Sequence, residues 1–306
     1  DNIKTEGKII DIKTSEEKIG NPAGLNTVNM LKHATKNMGL GAQETMRIAE
    51  RLYLSGFVTY PRTESTRYPK SYNFKKVVTD LQNYKGNSLL AFACSDLAKK
   101  NSYNPPAGVD KFDHPPIVPT GKMPYDISGI EARVYEFILR NFLCSIAEPV
   151  KLSVETYVFQ FGDLKFAYKA KRVVNQGYYA ITGKSVDSAI VFTTKPSVGQ
   201  SVNLSTMKVE DKLTQPPGRM TESDLIKYMD KYRIGTDASM AVHIENIINR
   251  NYVTVTSDNK RELNPTDLGL KLYDSYQRVD PDLCAAQLRG MIEESIENIA
   301  IGNSSF

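Results

Sequence analysis

The sequence predicts a multidomain fold of mixed α and β class, mainly helical domains joined by one β-rich domain. Three observations predict it. Apolar residues recur at helical spacing over much of the chain, as Val134, Phe137, Ile138, Phe142 and Ile146 do. From Lys151 to Leu204 the period changes to two, with Leu152, Val154, Thr156 and Val158 alternating with more polar positions. Pro216-Pro217 then breaks the chain, and helical spacing returns. A length of 306 residues leaves room for two or three domains. The expected division is a β-rich domain of residues 1–21 and 148–212, a helical domain of 22–147, and a second helical domain of 213–306.

Each element has a local reason. Gly7 to Lys13 reads as a strand, and Asn21-Pro22-Ala23-Gly24 breaks the chain. Asn26 or Thr27 can cap a helix bearing Val28, Leu31, Ala34 and Met38, which Gly39 ends. Residues 42–55 place Met46, Ala49, Leu52 and Tyr53 at helical spacing, with Gly56 where a left-handed stop would sit. Two short helices followed by extended Phe57-Val58-Thr59 resemble a helix-turn-helix with a following strand. Leu89 to Lys100 reads as a helix. Residues 101–127 form a long Pro/Gly-rich loop, and loops of that length are usually functional or disordered. Ser128 and Glu131 predict a capping box for a helix through about Ala147.

In the β-rich stretch, Gly162-Asp163 suits a hairpin turn that returns Leu164, Phe166 and Tyr168. Tyr178 to Ile181 and Ile190 to Phe192 read as further strands, whose aromatics either build the sheet or stack on bases. Beyond the prolines, Thr221 with Asp224 caps a helix bearing Leu225, Ile226 and Met229, and Asp237 can cap another with Val242, Ile244, Ile247 and Ile248. Tyr252 to Thr256, a turn at Ser257 to Lys260, and Arg261 to Leu263 make a two-stranded wing. Helix, helix, wing is the order of a winged-helix (CAP-like) domain, common in DNA binders and also in protein-contact modules. Thr266 begins one more helix, and Asp280-Pro281 a last one that ends before Gly302. A weak repeat aligns Leu52 to Tyr60 with Ile247 to Val255, so Val255 stands where the first copy has Tyr60.

Composition narrows the class. Hydrophobic content of 41% and charged content of 24% are ordinary for a globular chain. No apolar run approaches a membrane span, and Asp1-Asn2-Ile3-Lys4 does not read as a signal peptide, so the chain is expected to come from the middle of a larger protein. Cys94, Cys144 and Cys284 are scattered, odd in number and without metal spacing, as in reduced intracellular proteins. A net charge of +4 is too small to establish a nucleic-acid partner. Residues 60–76 cluster Arg62, Arg67, Lys70, Lys75 and Lys76 against Glu64 alone, which is either a phosphate-facing surface or a solvated basic face.

The chemistry concentrates at Gly56 to Thr66. Pro61 pushes Tyr60 away from helical angles, and side chains two apart on an extended segment share a face. Tyr60 and Arg62 therefore point the same way, with Glu64 next. A phenol with a pKa of about 10 is a poor nucleophile until a cation holds an anionic electrophile beside it. A guanidinium is always charged and grips phosphate in a planar fork. Tyr-x-Arg thus reads as a tyrosine attacking a phosphodiester held by Arg62, or as a core-capping tyrosine beside a surface charge.

The segment Gly56-Phe57-Val58-Thr59-Tyr60-Pro61-Arg62-Thr63-Glu64 resembles the active-site motif of type IA DNA topoisomerases. The likeness continues in order through Leu25-Asn26-Thr27-Val28, Ile48 to Tyr53, Asp113-His114-Pro115-Pro116-Ile117-Val118-Pro119-Thr120, Gln215-Pro216-Pro217, Thr221 to Ile226, and Ile234 to Ser239. It is greatest toward the eukaryotic topoisomerase III branch, the beta form ahead of the alpha form. The resemblance implies that Tyr60, Arg62 and His114 are catalytic, Tyr60 as covalent nucleophile and the other two on its phosphate. Thr63, Glu64, Arg67, Arg219, Thr221, Ser223, Arg233 and Ser239 are then expected along the bound strand. It implies an arch role for the β-rich domain, single-stranded DNA or RNA as substrate, an OB-fold or Tudor-type partner protein, no membrane, and a nuclear or also cytoplasmic location.

Type IA enzymes also carry a Toprim domain that holds magnesium on an acidic cluster. None is recognisable here, so magnesium is expected in the parent enzyme and none on this chain, which alone should bind single strands but relax nothing. Arg233 to Ser239 replaces the Gly-Ile-Gly-Arg-Pro-Ser-Thr usual in bacterial topoisomerase I, which leaves base preference open. Two other classes remain: a non-enzymatic winged-helix binding module, and another tyrosine phosphodiesterase such as a recombinase.

Overall fold

The computed structural model describes residues 5–186, 196–206, 208–237 and 239–305. In chain order it contains β1 (Glu6–Ile19), α1 (Thr27–Asn37), α2 (Ala42–Leu54), α3 (Phe74–Asp80), α4 (Ser88–Ala98), α5 (Gly129–Ile146), β2 (Val150–Phe161), β3 (Leu164–Asn175), α6 (Tyr179–Thr182), β4 (Ser201–Asn203), α7 (Glu222–Lys231), α8 (Met240–Asn249), β5 (Val253–Val255), β6 (Leu263–Pro265), α9 (Asp267–Val279), a 3-10 turn (Pro281–Cys284) and α10 (Ala286–Ala300). The chain forms two compact units, Asp1–Pro22 with Leu143–Pro216, and Ala23–Phe142 with Pro217–Phe306.

The first unit is an antiparallel sheet in the order β3-β2-β1-β4. β1 extends well past the expected Gly7 to Lys13, because its partner β2 supplies hydrogen bonds from Lys8↔Gln160 to Ile19↔Val150. The hairpin turn forms as expected: Phe161 pairs with Leu164 across Gly162, whose φ is +60°. Val150, Leu152 and Val154 are the buried face, covered by Ile19, Val173, Tyr178 and Tyr179. The strand expected at Tyr178 to Ile181 is instead the single turn α6. Gly177, at φ +46°, turns the chain, and the amides of Tyr179 and Ile181 donate back to Gln176 and Tyr178. The strand expected at Ile190 to Phe192 lies outside the described residues. Edge strand β3 carries Lys165, Lys169, Lys171 and Arg172, charges that discourage pairing with another chain.

The second unit has a core of Met30, Leu31, Met46, Ile48, Leu52, Tyr135, Ile138 and Phe142. Asn26 caps α1, its side chain accepting from Asn29 N at 3.0 Å. α3 has no counterpart in the sequence reading, since it buries Val78 alone and is too short to show a period. Glu131, in the first turn of α5, pairs with Arg51 Nε at 2.8 Å. α7 does have its capping box, Thr221 and Asp224 exchanging two bonds of 3.1 Å. Ser239, not Asp237, stands at the start of α8. Asp280 caps only the 3-10 turn, and α10 begins after Ala285.

The weak sequence repeat is a structural repeat. Phe57 N donates to Leu52 O and Gly56 N to Tyr53 O, and likewise Tyr252 N to Ile247 O and Asn251 N to Ile248 O. Gly56 and Asn251 carry the left-handed angles, φ +75° and +56°, that close both helices. Thr120 N donates to Phe57 O as Thr266 N does to Tyr252 O, and Ile117 N to Leu25 O as Leu263 N does to Met220 O. Val58 bridges Pro119 as Val253 pairs with Pro265. Equivalent helices pack on each other, α1 on α7 and α2 on α8, as in a two-fold pair. Glu222 joins the copies. It is 1% exposed, and its carboxylate accepts from Ala42 N at 2.6 Å and Arg261 Nε at 2.6 Å. It thereby caps α2, where Gly41 offers no side chain.

Candidate active site

The closed end of α2 delivers the chain into an extended run. Along Tyr60 to Thr66 burial alternates: Pro61, Thr63 and Ser65 are buried, while Tyr60, Arg62, Glu64 and Thr66 are half-buried. The shared face read from the sequence is therefore the more open one. Two segments strap the run in place. From the start of α1, Thr27 Oγ1 donates to Pro61 O at 2.7 Å and accepts from Thr63 N at 2.9 Å. From the long loop, Thr59 N donates to Val118 O at 2.9 Å, and Thr66 N to Val109 O at 2.8 Å.

Asp113 ties that loop to the run. Its carboxylate accepts from Glu64 N at 2.6 Å, from Thr63 Oγ1 at 3.3 Å and from Ser65 Oγ. Desolvation pushes the Asp113 carboxyl upward, but these hydrogen bonds outweigh it and hold the group below the usual carboxylate range. His114 follows, its carbonyl accepting from Thr63 Oγ1 at 2.5 Å. Its ring meets Tyr60 edge to face, with centroids 4.6 Å apart. Tyr53 meets the Tyr60 ring as well, at 5.2 Å. Arg62 is aimed by Glu50 on α2, whose Oε1 accepts from Nη2 at 2.6 Å and from Nε at 3.0 Å.

The expected strand-contacting residues scatter more widely. Thr63 is fully buried, and its hydroxyl serves His114 and the Ser65 amide, so it positions the loop rather than facing a strand. Glu64 and Arg233 line one groove of about 500 Å³ with Asn26, Lys111 and Thr236. Arg233 ends α7's turn at φ +53°, a left-handed position that glycine would take without strain, and pairs with Glu294 at 3.5 Å. Thr221 and Ser223 border a different hollow, with Lys32, Lys36 and Lys227. Arg67 and Arg219 are exposed, Arg67 Nε donating to Ala107 O at 3.2 Å. Ser239 Oγ accepts from Thr236 N at 3.0 Å. Sequence reasoning assigned no role to Glu50 or Asp113, and to Thr27 only that of a possible helix cap. Glu50 and Thr27 lie in the quoted runs, and Asp113 beside His114, but their partners are distant in sequence.

Among the described residues, no group of three or more His, Cys, Asp or Glu side chains stands where it could hold a metal ion. No described helix is long and apolar enough to cross a membrane. Cys94 and Cys144 are buried and in no disulfide, and burial pushes the Cys94 thiol up to about 12.

Tyr60 thus stands on an extended run with the His114 ring against its own, two residues before the guanidinium that Glu50 holds. The family model described as DNA topoisomerase matches residues 1–306, and the chain belongs to that family. Within it, topoisomerase 3-beta of Arabidopsis thaliana is 39% identical over 97% of this chain. Human topoisomerase 3-beta-1 is 34% identical over 99%, and human topoisomerase 3-alpha 33% over 96%. The chain spans about a third of these relatives, 34%, 35% and 29% of their lengths. Its fold is similar to full-length topoisomerase I of Thermotoga maritima, with a TM-score of 0.77 at 23% identity, over 98% of this chain and 50% of that one.

Proposed function

We propose that this chain is the cleavage and strand-gate part of a type IA topoisomerase, which cuts one nucleic-acid strand, passes another and reseals the cut. Tyr60 attacks a backbone phosphorus. The O–P bond to Tyr60 forms as the bond to the 3′ oxygen breaks, leaving a 5′-phosphotyrosyl link and a 3′-hydroxyl. Resealing reverses the exchange and needs no ATP, because the phosphodiester energy stays in the link. Arg62 and His114 hold and neutralise the phosphate. The observation that carries this reading is the Tyr60–His114 ring contact at 4.6 Å, with Arg62 steered by Glu50 toward the open face of the same run.

The two helix-helix-strand copies act as winged-helix (CAP-like) supports, and the β-rich unit as the arch that lets the gate lift. The substrate is single-stranded DNA, with RNA the second candidate given the higher similarity to 3-beta relatives. Magnesium belongs to a Toprim domain of the parent enzyme. A partner of OB-fold or Tudor type and a nuclear or cytoplasmic location complete the proposal.

The test is a mapped adduct. Full-length protein mixed with labelled single-stranded DNA and then denatured is expected to carry a 5′ link at Tyr60. Tyr60→Phe should abolish it, Tyr53→Phe should retain it, and His114→Ala should slow its formation by roughly 10²-fold or more. A 3′ link, or an adduct that survives Tyr60→Phe, refutes the reading.

A further inference from the structure

The hollow bordered by Thr221 and Ser223 is separate from the groove beside Glu64, and its chemistry is basic. It measures about 650 Å³. Lys32 and Lys36 enter from α1, Lys227 from α7, and Lys260 from the turn between β5 and β6. Lys32 and Lys227 are equivalent positions of the structural repeat, at the spacing that relates Leu52 to Ile247. The hollow therefore sits where the two equivalent helices face each other. Three carboxylates meet these four ammonium groups, Asp258 facing Lys260 from the same turn. Asp224 lies in the wall, and Asp230 pairs with Lys32 at 3.1 Å. The hydrogen bond from Thr221, with Lys227 and Lys36 adding, keeps the Asp224 carboxyl low and hence charged. Positive charge remains in excess, while the hydroxyls of Thr221 and Ser223 donate within the wall, to Asp224 Oδ2 at 2.7 Å and Lys32 O at 3.1 Å.

Position says which anion. Asp230 also lines the groove beside Glu64, so the Lys32–Asp230 pair is the shared wall of the two hollows. α1 runs from Asn26 in that groove to Lys36 in this one, about 15 Å along its axis at roughly 1.5 Å per residue. We infer that the hollow between α1 and α7 is a second phosphate-binding site, which holds the nucleic-acid backbone at a distance from the bond that Tyr60 cuts. It rests on the topoisomerase reading above. Its lysines come from both copies of the repeat, so it is complete only while α1 and α7 are packed together. A bound backbone favours that packed state by linkage, tying strand occupancy to a closed gate.

Fluorescence anisotropy of labelled oligothymidylate on the 306-residue chain, titrated with KCl, tests it. Lys36→Ala/Lys227→Ala is expected to weaken binding and to reduce the slope of log K against log [salt] by about 0.7 for each phosphate that no longer meets a lysine. Lys36→Arg/Lys227→Arg should restore both. If affinity and slope stay at wild-type values in the alanine variant while wild type binds, this site is overturned and the Tyr60 reading stands. If wild type binds no oligonucleotide, both fall. If polyglutamate displaces the oligonucleotide from wild type but not from the alanine variant, and inorganic triphosphate displaces it from neither, the site is instead one for an acidic protein segment, and the inference is overturned.

Discussion

At the residue scale the run from Tyr60 to Thr66 is held in place by side chains around it. Asp113 gathers three donors from the catalytic run, and Thr63 holds the carbonyl of His114. Asp113→Asn puts an amide donor against at least one of those donors. It is expected to cost about 1 kcal/mol near pH 7, solvent screening keeping the loss small. The pH dependence has a definite sign. The folded carboxyl lies below its unfolded value, so its contribution is complete above the ordinary carboxylate pKa of about 4 and is lost as pH falls through the lower folded value. Urea midpoints measured between about pH 3 and pH 7 should fall more steeply on the acid side for wild type than for Asp113→Asn. Parallel curves would contradict this.

At the element scale the repeat predicts which substitutions the active-site turn accepts. A Cβ on Gly56 would meet only Lys122 Cδ, at 3.9 Å, so the cost of a side chain there is that of the backbone angle. Gly56→Ala is expected to destabilise by about 1–2 kcal/mol. Gly56→Asn should cost less, because Asn251 already holds the equivalent angle in the second copy. Thermal melts of the two variants in one buffer decide it, and an equal loss in both would argue against it. Glu222 is the element-scale contact that sequence could not show. Glu222→Ala strips a buried carboxylate from Arg261 and from the start of α2, at an expected cost of about 3–5 kcal/mol. Chemical denaturation followed by helical circular dichroism measures this, and a loss within surface-substitution range would mean the pair is not the clasp described.

At the scale of the whole molecule, the second unit places two copies of one helix-helix-strand scaffold face to face, and only the first carries a phenol where the extended run leaves the ladder. Val255 fills that place in the second copy, so the scaffold itself does not require tyrosine there. That favours a chemical role for Tyr60 over a structural one. On the type IA reading proposed above, this chain by itself is expected to bind single strands yet leave supercoiled plasmid unrelaxed in magnesium. Gel assay of plasmid relaxation checks this, and clear relaxation by the 306-residue chain would refute it.

The catalytic run was legible because its signals are local. Gly56 stops a helix, Pro61 keeps Tyr60 extended, and a period of two puts Tyr60 and Arg62 on one face. The hairpin at Gly162 and the caps at Asn26, Thr221 and Thr266 were legible for the same reason, each depending on a few neighbouring residues. The full length of β1, the helical turn at Tyr179–Thr182, and the partners of Glu50, Asp113 and Glu222 were not. They depend on groups far apart along the chain, brought within hydrogen-bond reach only by packing. Sequence determined which side chains could do the chemistry. Tertiary structure decided which carboxylates aim and brace them, because a carboxylate pairs with whatever donors the fold sets beside it.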